Sequence, residues 1–191
     1  SYVKYWLNDI SQSRSPNTVA AYSLTLRPVI QLIGRLSVGD IQPFHIAALY
    51  EELSKKGASA HAVKKVHKTL SSAFSYGIRM RFISINPVTG VSTPSYKPKE
   101  RLCYDTDQVE TFLLGAITLN DRHFTLYFTA LQTAMRQGEL LGLKWQDVDW
   151  GKKKITVRRQ LTAWSKGKVT YSPPKSEAGH RTISIEDDLI S

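Results

Sequence analysis

A chain of 191 residues, 41% of them hydrophobic, has enough apolar matter for one large or two small domains and too much for a disordered chain. No apolar run approaches the ~20 residues of a membrane span. The opening SYVKYWLNDI has no signal-peptide core, and the single cysteine, Cys103, permits neither an internal disulfide nor a cysteine-based zinc site. The 26 Lys and Arg outnumber the 16 Asp and Glu, for a net charge of +10. That surplus points to a polyanionic partner, and nucleic acid is favoured over a membrane because no basic amphipathic anchor stands out. A reducing, cytoplasmic setting fits the cysteine usage. The chain opens on Ser1 rather than Met, as a processed or cut piece would.

The first ninety residues read as helices. Tyr2, Tyr5, Trp6 and Ile10 stand at helical spacing. Ser15 is the expected N-cap of a second helix, with Pro16 in its first turn and Val19, Tyr22, Leu26, Val29, Ile30 and Ile33 recurring at three- and four-residue steps. Pro28 lies inside that pattern and predicts a kink or a split, and Gly34 a stop. A third helix is predicted from Pro43 to about Gly57, burying Phe44, Ile46, Ala47, Leu49, Tyr50 and Leu53. A fourth follows Ser59, with Val63, Val66, Leu70, Phe74 and Ile78 on its apolar side and Lys64, Lys65, Lys68 and Arg79 on the other. These four cations form either a solvated face or a phosphate-contacting one; the basic context favours phosphate. Pro87 disfavours helix at Asn86.

Residues 88–102, VTGVSTPSYKPKERL, read as an extended basic segment, and 91–102 as the linker proper. Its Lys97 and Lys99 join the candidate DNA contacts. A second unit begins at 103. Asp105 and Gln108 have capping-box spacing for a helix ending near Gly115, and Asp121 can cap RHFTLYFTALQTAM. After Gly151, KKITVRRQLTAW alternates Ile155 and Val157 with polar residues. With KVTYS and HRTISI it predicts a three-stranded antiparallel sheet, turning at Gly167 and Lys168.

The stretch TAMRQGELLGLKWQDVDW, 133–150, resembles the first arginine box of the tyrosine recombinases, the phage-integrase and Xer-like family. Thr133, Met135, Arg136, Glu139, Leu140, Leu143, Trp145, Asp147, Val148 and Asp149 carry the match. Ala134 departs from it, standing where the family has glycine; a small backbone adjustment without loss of function is expected. Further on, PPKSEAGHRTISI is similar to the family's segment in which a turn lysine precedes Arg-Thr-hydrophobic. SPNTVAAYSLTL and AFSYGIRMRFISINPV resemble its core-binding domain.

The resemblance implies a mainly α fold with a small antiparallel sheet. A helical, SAM-like core-binding domain (1–90) and a linker (91–102) would precede the first part of an α+β catalytic domain (103–191). It also implies site-specific DNA cleavage and rejoining through a 3′-phosphotyrosyl bond, on duplex DNA, by dimers and tetramers assembled on it. A bacterial or phage-encoded, nucleoid-associated protein would do this without metal or other cofactor. In that chemistry a guanidinium matches two phosphate oxygens with a planar fork, the role implied for Arg136. Lys175 takes the position of the general acid that protonates the 5′-leaving oxygen, and Glu139, one helical turn from Arg136, orients Arg136 or a neighbouring catalytic group rather than touching DNA.

The family's His-x-x-Arg box and nucleophilic tyrosine are not among these residues, and Tyr171 precedes Lys175, the wrong order for the nucleophile. The 191-residue chain alone is therefore expected not to cleave. The alternative is a non-catalytic DNA-binding protein derived from a recombinase; the retained Arg136, Glu139 and Lys175 favour the enzyme. Trp145 is expected in the core, and Asp147 and Asp149 in turns rather than at a metal. His180 reads as a strand-edge residue, and His45, His61, His67 and His123 as packing or surface groups.

Overall fold

A computed structural model describes residues 2–97, 100, 102–165 and 168–186, and the chain divides into two units, Ser1–Glu100 and Arg101–Ser191. The first holds four helices, α1 (Tyr2–Ile10), α2 (Pro16–Ile33), α3 (Pro43–Lys55) and α4 (Ala60–Arg79). Local chemistry sets their starts. Ser15 Oγ accepts from the Thr18 amide at 3.3 Å and Ser59 Oγ from the Ala62 amide at 3.2 Å, each satisfying an amide that the first turn leaves without a helical partner. The core gathers Trp6, Leu26, Ile46, Leu49, Val63, Leu70 and Phe74, one face from each helix. Each such side chain contributes about 1.5–3 kcal/mol through removal from water.

Several expectations change here. Helix α2 is not split at Pro28 but continues through it to Ile33. The carbonyl that loses its donor is that of Leu24, on a side of the helix exposed enough for water to replace the bond. Phe44 is 66% exposed and Ala47 is exposed too. The inward stripe of α3 is Ile46, Leu49, Tyr50 and Leu53, and Phe44 instead lies against the His45 ring, with centroids 4.0 Å apart. Ile78, in the last turn of α4, is exposed as well. Val88, read as the start of the extended segment, is fully buried in this core. Asn86 holds it there: its Oδ1 accepts from the Val88 amide at 3.0 Å, while its Nδ2 donates to the Ser71 carbonyl at 3.1 Å.

The second unit begins with α5 (Thr106–Thr118), capped reciprocally by Asp105 and Gln108 at 2.8 and 3.1 Å. It outruns Gly115 by three residues. Helix α6 (Phe124–Thr133) follows a turn in which Asp121 Oδ1 accepts from the His123 amide at 2.8 Å. The short α7 (Gln137–Leu140) comes next, then β1 (Val148–Asp149), β2 (Lys154–Val157), β3 (Gln160–Ser165), β4 (Lys168–Ser172) and β5 (Arg181–Ser184).

Among the described residues the strands form two antiparallel sheets, not one: β1-β2-β5, and the separate β3-β4 hairpin. The run read as a single strand across 153–164 divides at Arg158 and Arg159. Ile155 pairs with Ile183 of β5, and Leu161 with Tyr171 of β4. Arg159 explains the break, since its guanidinium turns away to the buried Asp147. The turn expected at Gly167 and Lys168 lies outside the described residues at Gly167. Met135, Ile155, Val157 and Ile185 form this unit's core, with Leu140, Leu143, Val148 and Ile183 against it. Among the described residues, no helix is long and apolar enough to cross a membrane.

Candidate active site

Arg136 sits at the turn between α6 and α7. Helix α6 ends because Ala134 takes the left-handed conformation, φ 48° and ψ 30°, reversing the chain so that Arg136 opens α7 as its N-cap. Thr133 braces the turn, its hydroxyl donating to the Thr129 carbonyl at 2.6 Å. The adjustment expected of Ala134 is thus a strained φ at a position where glycine bears no steric penalty.

The most buried side chain of the arginine box is an acid. Glu139 is 2% exposed. Its Oε1 accepts from Arg136 Nη1 at 2.7 Å, and its Oε2 accepts from the Arg136 amide at 3.1 Å and from Arg181 Nη2 at 2.9 Å. Burial alone would raise its pKa; the hydrogen bonds from Arg181, Arg136 and the Arg136 amide outweigh that and hold the carboxyl at about 2. Glu139 therefore stays ionised and fixes one edge of the Arg136 guanidinium, whose side chain is otherwise two-thirds exposed and open to an anion.

Lys175 is exposed in the segment between β4 and β5, just before a 3-10 turn at Glu177–Gly179. Strand β5 then opens on Arg181, the second cation on Glu139. One carboxylate thus joins the turn bearing Arg136 to the strand that follows Lys175.

A second buried acid stands behind the box. Asp147 accepts from both terminal nitrogens of Arg159, the Nη2 contact at 3.1 Å, and from the Lys144 amide at 3.0 Å. It is a buried ion pair as well as a cap, so the turn-only expectation is corrected; Asp149 does hold a turn, accepting from the Lys152 amide at 2.9 Å. Among the described residues, no cluster of three or more His, Cys, Asp or Glu could hold a metal. Gly142 lets β3 close on α7: a Cβ there would lie 3.0 Å from Gln160 Cα and 3.1 Å from the Arg159 carbonyl oxygen.

No family model matches the chain. It is 30% identical over 205 residues to the tyrosine recombinase XerC-like protein of Caldanaerobacter subterraneus, across 97% of this chain and 51% of that protein. It is also 30% identical over 134 residues to prophage integrase IntR of Escherichia coli, across 69% of this chain and 30% of that one. The chain belongs to the tyrosine recombinase family.

It spans about half the length of the XerC-like protein and less of prophage integrase IntR. Its fold is that of the Tn1549 transposon integrase solved in complex with transposon right end DNA, with a TM-score of 0.82 at 22% identity over 99% of this chain and 62% of that one. It is also that of the lambda integrase solved as a tetramer bound to a Holliday junction, at 0.70 and 20% over 90% and 47%.

Within this tyrosine recombinase chain, the box departs from the core expectation at Trp145. Trp145 is 81% exposed rather than in the core, and stacks on Trp150 with centroids 6.1 Å apart. Leu140 and Leu143 pack on the core, but Leu141 faces solvent. Sequence reading also missed Arg181 and Arg159 as partners of the two acids; only the presence of buried-type acids in an apolar box hinted at cations elsewhere.

In the first unit Lys64, Lys65 and Lys68 are exposed along α4, and Arg79 at its end lies over the Tyr76 ring at 5.8 Å. Lys97 is exposed; Lys99 lies outside the described residues. The histidines serve local structure. His67 Nδ1 meets Tyr50 Oη at 3.0 Å, and burial lowers its pKa. His45 Nδ1 accepts from the Gln42 amide, His61 lies on Tyr96, and His123 pairs with Asp121. His180, at the mouth of β5, is exposed.

Proposed function

We propose that the chain is the DNA-binding and arginine-box portion of a site-specific recombinase that cleaves and rejoins duplex DNA through a 3′-phosphotyrosyl intermediate. Residues 1–90 act as the core-binding domain, 91–102 as the linker and 103–191 as the first part of the catalytic domain. The observation that carries this reading is the Arg136–Glu139–Arg181 arrangement. A buried carboxylate holds an otherwise open guanidinium by its side chain and by its backbone amide, and a rigid, preorganised cation is what a phosphoryl-transfer transition state rewards.

In the reaction a tyrosine oxygen bonds to phosphorus as the bond to the 5′-oxygen breaks. Arg136 takes the charge that develops on the non-bridging oxygens. Lys175 gives its proton to the departing 5′-oxygen, and the tyrosine proton passes to solvent. Lys64, Lys65, Lys68 and Arg79, with Lys97 and Lys99, neutralise phosphates of the duplex. The DNA-bound dimers and tetramers of the structural neighbours support self-assembly on DNA for the full-length protein. A cytoplasmic, nucleoid-associated location follows from that chemistry.

The test is covalent capture. The full-length protein, incubated with fragmented genomic DNA and then denatured, should retain specific fragments that protease releases; Arg136→Ala should retain none while still binding duplex DNA. Capture undiminished in Arg136→Ala would remove Arg136 from the site.

A further inference from the structure

The segment that carries Lys175 is fastened at both of its ends to one place. At its start, Gln160 Nε2 donates to the Pro173 carbonyl at 3.0 Å, and the Gln160 backbone is the part of β3 that rests on Gly142, just past α7. At its end, Arg181 Nη2 reaches Glu139 on α7 at 2.9 Å. In between, the segment closes on itself. Gly179 is buried, a Cβ on it would lie 2.6 Å from Pro174 Cβ, and the Arg181 guanidinium leans on the Gly179 carbonyl at 3.5 Å. Lys175 has one residue between it and the first anchor and five between it and the second. An exposed lysine on a free loop would sample a wide volume. One on a loop pinned at both ends is confined relative to the turn bearing Arg136.

We propose that Gln160 and Arg181 are positioning residues that clamp the Lys175 segment to the Arg136 turn, so that general acid and phosphate clamp are placed as one unit. This rests on the recombinase reading above. Gln160 contributes through a neutral hydrogen bond to backbone, and Arg181 through an ion pair with a buried acid. Neither touches the phosphate.

The role through Lys175 has a chemical signature. With sulfur in place of the bridging 5′-oxygen, the P–S bond breaks to a thiolate that needs no proton, so a defect confined to proton delivery disappears. In the full-length protein, Gln160→Ala and Arg181→Ala should slow single-turnover cleavage of ordinary DNA by about tenfold or more, within the range general acids supply. The bridging-sulfur substrate should restore Gln160→Ala to wild-type rate, as it should Lys175→Ala, and Arg181→Ala in part, because Glu139 also holds Arg136, while Arg136→Ala stays inactive on both substrates. Unchanged cleavage of ordinary DNA, or a loss that sulfur does not relieve in a variant with wild-type Tm, would overturn the positioning role.

The clamp is read separately by amide hydrogen exchange in the 191-residue chain. Either substitution should speed exchange at Gly179 and His180, whose amides donate within the turn, by about tenfold while α5 is unchanged. Unchanged exchange at both amides would overturn the clamp. If wild-type full-length protein fails to cleave, the recombinase reading fails, and exchange still decides whether the segment is clamped.

Discussion

Glu139 and Arg181, 42 residues apart in the chain, meet at 2.9 Å, and through the other edge of the same carboxylate Arg181 is joined to Arg136. Glu139→Gln keeps the shape and removes the charge. Leaving two guanidinium groups without their counter-ion should destabilise the second unit by about 1–3 kcal/mol. Urea unfolding followed by Trp145 and Trp150 fluorescence measures this, and a midpoint equal to wild type would deny Glu139 its structural role.

The same carboxyl sets an acid limb. Its folded pKa, about 2, lies below the ordinary 4.5. The unfolded chain thus binds its proton first as pH falls. The stabilisation is complete above pH 4.5 and is lost as pH drops through 2. Thermal melts of the wild type should fall steeply across that window, and those of Glu139→Gln more shallowly. Parallel curves would contradict the assignment.

Ala134 carries φ 48°. Glycine removes the clash between Cβ and carbonyl that the left-handed region imposes on other residues, at the cost of a looser unfolded chain. Ala134→Gly should stabilise the second unit by about 0.5–1 kcal/mol. A lowered Tm in this variant would mean that the turn is not left-handed in solution.

Trp145 and Trp6 make a matched pair of opposites, 81% and 2% exposed. Trp145→Ala should change stability by less than about 0.5 kcal/mol, whereas Trp6→Ala should cost about 3–5 kcal/mol from the four-helix core. Circular dichroism melts of the two variants give the comparison directly. A large cost at Trp145 would place it in a packed interface.

Lys64, Lys65 and Lys68 lie exposed along one helix. If they neutralise phosphates, their joint replacement by alanine should weaken binding to every duplex alike and lower the slope of log K against log salt by about 2–3. Fluorescence anisotropy at several salt concentrations reads this; an unaltered slope would make the stripe a solvated face.

Much of this protein is local and therefore legible in the sequence. Helices α1 to α4 follow from apolar spacing and from Ser15 and Ser59 at their starts. The arginine box is contiguous, so Arg136 and Glu139 could be named as neighbours one turn apart. The tertiary structure decided what spacing cannot express. A charged side chain reads as surface and a tryptophan as core, because burial free energy follows polarity until a partner cancels the charge. Glu139 is buried since Arg181 and Arg136 supply that cancellation, and Asp147 since Arg159 does. Arg159 likewise broke one predicted strand into two, because its ion pair draws the chain out of the sheet. Each of these outcomes depends on a partner at least a dozen residues away, and no periodicity within a single helix or strand encodes which distant cation will arrive.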